Sequence, residues 1–382
     1  MSIKTKLPRV GTTIFSVMSQ LALEHKAVNL GQGFPDFEPP DALMDALTRA
    51  VHDGHNQYAP SPGIPALRQQ IASKTAQLYG HEPSVDHEIT VTAGATEAIF
   101  AAVAAVVCAG DEVIVLDPCY DCYEPAINLQ GAQAVHVPLN QPDFSVDWQR
   151  VRDAVTAKTR LIITNSPHNP SGAVFSQKDL DALAEIVRDS RVMVLSDEVY
   201  EHIVYDGAEH QSVLRHAELA ARSFVVSSFG KTYHCTGWKT GYCVAPRAMT
   251  AELRKVHQYL TFCGFAPAQF ALAEMLSEYP QHYLELSDFY QLRRDRFREL
   301  LADSRLKLLD VPGGYFQLVD YSEISSSDDI NFSEWLVREG GVAGIPLAPF
   351  YETPPADARL LRLCFAKSDA TMEAAAERLC KL

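Results

Sequence analysis

SSFGKTYHCTGWKTGY, residues 227–242, follows directly on the apolar stretch Phe224-Val225-Val226. A short, continuously apolar run that ends in small polar residues reads as a buried strand of a parallel sheet. A lysine presented just past that end, Lys231, stands at the mouth of the sheet, where ligands of open α/β sheets collect. A second cation, Lys239, comes eight residues later, after Gly237 and Trp238. Most lysines are solvated surface groups. The neighbours here are Ser, Gly, Thr and Trp rather than other charges, which favours a lined pocket. A lysine held partly out of water loses its proton more readily and can form a Schiff base with a carbonyl.

Working outward, three more apolar runs have the same form: Val113-Ile114-Val115-Leu116, Leu161-Ile162-Ile163 and Val192-Met193-Val194-Leu195. Each ends in polar residues, at Asp117-Pro118, Asn165 and Asp197, which places these residues along one edge of the sheet. Helical patterns alternate with the runs, as at 96–107, where Ile99, Phe100, Val103, Val106 and Val107 recur at helical spacing. The expected fold is therefore α/β, with a mostly parallel central sheet flanked by helices. After residue 272 come a helical stretch, Gly313-Gly314-Tyr315-Phe316, and shorter strand candidates ending at Leu360 to Phe365. This change in pattern predicts a smaller α/β domain over 273–382, beside a large domain over 41–272. Residues 1–40, with GQGFPDFEPP, are too rich in Gly and Pro to form a core and are expected to pack on the small domain.

Composition narrows the function. The chain has 382 residues, 47% of them apolar and 21% charged, enough to bury a sizeable core. A net charge of −15 argues against nucleic acid and anionic membrane as partners. Against that background each pocket Lys or Arg gains weight as a site for a small anion. The N-terminal MSIKTKLPRVGTTIF lacks the apolar run of a signal peptide. Eight scattered cysteines without a framework pattern suggest a reduced, cytoplasmic protein. Cys119 and Cys122 form one C-x-x-C pair, but a zinc site would want a second, and none follows.

Several segments carry chemistry. TAGATEA, 92–98, follows the strand candidate Ile89-Thr90-Val91 and opens a helix. Its small residues, with the hydroxyl of Thr96, suit an anion held at a helix N-terminus, although glycine before a helix is common. In VLSDEVY, 194–200, Asp197 ends a buried strand, and Tyr200 follows three residues on. That carboxylate suits a protonated ring nitrogen, or equally a helix cap. Asn169, in TNSPHNPSG, reads as a turn residue or a ring-oxygen donor, while His168 is taken as structural. Arg362 lies in LLRLCFA, an arginine inside an apolar run; its planar fork suits either a structural carboxylate or a ligand one. Tyr58, in NQYAPSPG, stands in a Pro- and Gly-rich loop. A Schiff-base lysine, a ring-nitrogen carboxylate, ring-oxygen donors, a phosphate cradle and a carboxylate-binding arginine together match one cofactor, pyridoxal 5'-phosphate.

These motifs, in order, give the chain an end-to-end resemblance to the class I/II aminotransferases, the fold-type-I pyridoxal-phosphate enzymes. The resemblance runs from NLGQGFPDF (29–37) through DPCYDCYEP (117–125), PHNPSG, SDEVYEH and GKTYHCTGWK to RLCFAK (362–367). It is most similar to the branch of kynurenine/glutamine aminotransferases and bacterial methionine aminotransferases. The resemblance implies that Lys231 carries the cofactor and shuttles the proton, and that Asp197 pairs with the ring nitrogen. Asn169 and Tyr200 would hold the ring hydroxyl, and Tyr120 would stack on the ring. Ala95, Thr96, Ser228 and Lys239 would bind the phosphate, joined by Tyr58 from the other subunit of a homodimer. Arg362 would grip the substrate α-carboxylate with help from the Gly33 backbone.

The implied reaction is a ping-pong transamination from an apolar or aromatic amino acid to a 2-oxo acid. Phe15, Phe34 and Tyr120 suggest an apolar side-chain pocket that suits methionine, although Phe15 and Phe34 are equally readable as core. The stretch 261–265, which the resemblance would place in the partner's pocket, departs from the kynurenine enzymes, so the resemblance implies the reaction type more firmly than the substrate. The rival with the same residues is a β-lyase acting on cysteine conjugates or cystathionine. A non-catalytic cofactor-binding regulator is disfavoured by the lack of a basic DNA-binding segment.

Overall fold

The computed structural model describes residues 4–382. The chain begins with the helix Ile14–His25, capped by the Thr13 side chain, and a two-residue strand, β1 (Val28–Asn29). Seven strands then build the central sheet: β2 (Ile89–Thr92), β3 (Glu112–Asp117), β4 (Gln133–Pro138), β5 (Thr159–Asn165), β6 (Met193–Asp197), β7 (Ser223–Ser228) and β8 (Gly241–Val244). Their spatial order is β2-β8-β7-β6-β5-β3-β4. All run parallel except β8, which lies antiparallel between β2 and β7.

The apolar runs become central strands because helices cover both faces of the sheet, leaving no water-facing side to require alternation. Every residue of β7 is buried, and so are all but the first of β3 and β6. The helix Ala95–Val106 packs Ile99, Ala102 and Val103 against Val113, Val115 and Leu195 on one face. On the other face Leu180, Leu183 and Val187 of the helix Gln177–Val187 join Ile114, Ile162 and Val194.

The last third builds a second sheet. Strands β9 (Lys307–Leu308), β10 (Phe316–Asp320), β12 (Ile345–Pro346) and β13 (Leu360–Cys364) pair antiparallel in the order β12-β13-β10-β9. The short β11 (Val342–Ala343) pairs instead with β1. Met18 and Ala22 of the first helix pack on Val337, Ala343, Ile345 and Phe350. The N-terminal strap then crosses to the cavity described next, held by main-chain bonds from Leu30 N to Ala343 O and from Cys364 N to Leu30 O.

Candidate active site

A cavity of about 340 Å³ opens where the carboxyl ends of β6 and β7 face the second sheet and the strap. Of the residues singled out in the sequence, Phe15, Gly33, Ala95, Thr96, Tyr120, Asn169, Asp197, Tyr200, Ser228, Lys231, Lys239 and Arg362 all line it. Tyr58 does not. It is 84% exposed at the surface, edge-on to Phe262 at 5.2 Å between ring centroids.

Lys231 lies in the single helical turn Phe229–Thr232 that follows β7 directly, so its position is set by the strand. Its Nζ donates to the Gly33 carbonyl (3.1 Å) and to the Tyr315 hydroxyl (3.0 Å). Enclosure disfavours the ammonium and brings the amine down to about 8. Asp197 ends β6, where its carboxylate accepts from the Tyr123 hydroxyl (2.7 Å) and the Val199 amide (3.3 Å). Burial pushes its carboxyl up to about 6, against the pull of the Tyr123 bond. A carboxylate so desolvated gains from a positive partner on its open side.

At one end of the cavity the helix Ala95–Val106 begins at Gly94, whose φ of +80° favours glycine. Ala95, Thr96, Ser228 and Lys239 line the cavity there, and a helix start beside hydroxyls and an ammonium is an arrangement that suits an anion. A Cβ at Gly94 would stand 3.4 Å from the Lys239 Cε and Nζ, an ordinary contact, so the positive φ rather than crowding calls for glycine there.

At the other end Arg362 sits on β13 between β10 and β12, 1% exposed. Its Nη1 donates to Asn169 Oδ1 (2.7 Å) and its Nη2 to the Gly31 carbonyl (2.8 Å). Its Nε has no partner, and the guanidinium lies over Phe316 (3.9 Å) and Phe15 (5.0 Å). A buried guanidinium held only by neutral acceptors is an incomplete ion pair, and its missing half is an anion. The strap atom it holds is the Gly31 carbonyl, whereas the Gly33 carbonyl is taken by Lys231 and Tyr315. Accepting from Arg362 through Oδ1 orients the Asn169 side chain and leaves its amide nitrogen as a donor.

Behind the strand ends lies a network absent from the sequence reading. The buried Glu201 accepts from Lys74 Nζ (2.7 Å) and Tyr242 OH (2.9 Å), and also from Tyr79 and Ser227. Burial alone would raise this carboxyl, but Lys74 and its other donors hold it below the usual carboxylate range. Ser227 and Tyr242 pair across β7 and β8, so the network braces the edge that carries Ser228 and Lys239. His168 is buried against Ser171 Oγ (2.7 Å), and Cys119 and Cys122 are free thiols. Tyr315, Tyr123, Gly31 and Glu201 were not singled out in the sequence; the only signal for Tyr315 was its place after two glycines.

The family model for aminotransferase class I and II matches residues 25–379. The chain is a class I/II aminotransferase. Methionine aminotransferase of Escherichia coli is 54% identical over 379 residues, covering 99% of this chain and 98% of that protein. Kynurenine–oxoglutarate transaminase 1 of mouse is 35% identical, covering 95% and 93%. Among solved structures, an E. coli protein described as having a methionine aminotransferase function superposes with a TM-score of 0.98 at 53% identity, over the whole of both chains. N-succinyldiaminopimelate aminotransferase of Mycobacterium tuberculosis gives 0.95 at 39% identity, again over the whole of both chains. The fold is that of the fold-type-I aminotransferases, and the cofactor of these enzymes is pyridoxal 5'-phosphate. This aminotransferase's cavity fits that group: a desolvated carboxylate, an enclosed amine, an anion cradle at one end and an incompletely paired guanidinium at the other.

Proposed function

We propose that this aminotransferase moves the amino group of an apolar or aromatic L-amino acid, methionine foremost, to a 2-oxo acid by a ping-pong mechanism. The observation that carries the reading is the geometry around Arg362: one buried cation for an α-carboxylate, faced by Phe15, Phe316, Tyr120 and Phe34. Among the described residues of one chain the cations lining the cavity are Lys231, Lys239 and Arg362, which leaves none for a distal carboxylate. The likeness to methionine aminotransferase points the same way.

When bound, pyridoxal 5'-phosphate supplies an aldehyde that condenses with amines and a ring that accepts the electron pair left by the departing α-proton. The roles of the chain's own residues are as follows. Ala95, Thr96, Ser228 and Lys239 would hold the phosphate; Asp197 would keep the proton on the ring nitrogen; Asn169 and Tyr200 would bind the ring oxygen; Tyr120 would cover the ring face. Arg362 orients the substrate by its carboxylate. Lys231 Nζ would hold the cofactor at rest and, once released, would act as the general base that takes the α-proton and gives it back.

The same reading makes the enzyme a cytoplasmic homodimer, with Tyr58 reaching the phosphate of the other subunit. Tyr58, Tyr259, Phe262 and Phe265 are 84%, 87%, 46% and 55% exposed, an apolar surface suited to a second copy. No helix of the described residues is long and apolar enough to cross a membrane. It also divides the chain into the strap segment 1–40, a large domain 41–272 and a small domain 273–382.

The test is a spectroscopic screen of half-reactions against the common amino acids, run beside Lys231→Ala. Methionine and aromatic amino acids should discharge the cofactor absorption fastest, and Lys231→Ala should do so with none. Pyruvate and ammonia formed from cysteine conjugates without any acceptor would favour the β-lyase reading instead.

A further inference from the structure

Tyr315 is fully buried just before β10, its ring enclosed by Tyr200, Tyr290 and Phe316 at centroid distances of 5.0, 5.6 and 4.9 Å. Its hydroxyl donates to the Gly33 carbonyl at 2.6 Å. A phenol has one hydrogen, and here it is committed to Gly33. Toward Lys231 Nζ, 3.0 Å away, the Tyr315 oxygen therefore acts only as an acceptor. The Gly33 carbonyl accepts from the same Nζ at 3.1 Å. Carbonyl, phenol and amine form a closed triangle.

The strap side of the triangle is rigid. The Gly31 carbonyl is held by Arg362 and the Phe34 carbonyl by Lys367 Nζ (2.8 Å), on either side of Gly33. Gly33 itself admits no side chain, since a Cβ would stand 2.8 Å from Phe316 Cζ. Both acceptors are thus fixed before the amine arrives.

We infer that Tyr315 is a positioning residue for the general base: with the Gly33 carbonyl it takes both hydrogens of the released, neutral Lys231 amine and turns the remaining lone pair to the cavity. A neutral primary amine has two hydrogens and one lone pair, so two fixed acceptors determine where the third direction points. Without the phenol, the amine is free to rotate about its last bond, and proton transfer loses the alignment it needs. This inference deepens the transamination reading and rests on Lys231 being the reacting amine.

Tyr315→Phe removes the oxygen and keeps the ring contacts. On protein stripped of cofactor, labelling of Lys231 by a small amine-acylating reagent, followed by peptide mass mapping across pH, reports the protonation of the amine itself. Loss of an acceptor to the ammonium should move that profile to lower pH by roughly one unit. On loaded protein, single-turnover abstraction of the α-proton should slow by about tenfold or more. The α-deuterium isotope effect should rise while the amino-acid dissociation constant holds. Either the labelling profile or the proton-abstraction rate staying at its wild-type value overturns the inference. Borohydride reduction of loaded wild type tests the underlying reading separately. An adduct away from position 231 removes both, whereas an adduct at 231 with an indifferent Tyr315→Phe removes only the role of Tyr315.

Discussion

Asn169 Oδ1 stands 2.7 Å from Arg362 Nη1, and this bond joins the two sheets across the cavity. Asn169 belongs to the loop leaving β5, Arg362 to the middle of β13. An α-carboxylate arriving at the guanidinium would therefore be sensed by the same amide that faces the cofactor oxygen. On the proposed roles of these residues, substrate grip and cofactor grip would be mechanically one unit.

Arg362→Ala should raise the dissociation constant for the amino acid by about 10- to 100-fold, the size expected for losing charge-assisted bonds to a carboxylate. Cofactor binding should weaken less. Titration of the bound-cofactor absorption with amino acid separates the two, and wild-type affinity would contradict the assignment.

Gly94→Ala should loosen the phosphate cradle without unfolding the protein. A φ of +80° costs an alanine about 1 kcal/mol or more, while the added Cβ meets Lys239 only at ordinary contact distance. Weaker retention of the cofactor on dialysis, with a melting temperature only a few degrees lower, is the expected pattern.

Lys231→Met should stabilise the cofactor-free protein. Enclosure brings this lysine down to about 8, so the folded chain gives up a proton that the unfolded chain keeps. Below pH 8 the enclosed ammonium costs stability, by up to about 3 kcal/mol. That cost fades as pH rises from about 8 toward the ordinary lysine value near 10.4. Wild-type stability should therefore climb over this window relative to Lys231→Met, and denaturant melts at pH 7 and pH 10 would reveal the convergence. A constant gap across both would argue against the enclosed amine.

Lys74→Met should cost about 3–5 kcal/mol, the usual penalty for leaving a buried carboxylate without its cation. Glu201 would keep its hydroxyl donors but lose its only strong positive partner at 2.7 Å. Because the network braces β7 against β8, retention of cofactor should fall along with stability. Urea unfolding of the cofactor-free variant measures the first directly.

The strands most legible in the sequence were β3, β5, β6 and β7, where apolar residues run without interruption, and the candidates at Ile89-Thr90-Val91 and Leu360 to Phe365 proved to be β2 and β13. The missed ones carried no such signal. β4 lies at the edge of the sheet, where Gln133 and Pro138 are exposed, and β8 is a four-residue strand hidden between Lys239 and Pro246. Among site residues, a lysine or aspartate just past an apolar run was readable because charge there demands a reason. Tyr315 was not, since an aromatic just before a strand looks like ordinary core until its hydroxyl is seen between Gly33 and Lys231. The Lys74–Glu201 contact joins residues 127 apart in the chain, a separation that no local pattern encodes.

The reversed direction of β8 has an outcome for how this protein can change over evolutionary time. Because β7 ends and β8 begins at the same rim, the short span between Ser228 and Gly241 delivers both cavity lysines without leaving the neighbourhood. Lengthening or trimming that span by one residue would displace two charges at once. A change in residue number there would disturb the enclosed amine and the Lys239 end of the cavity together.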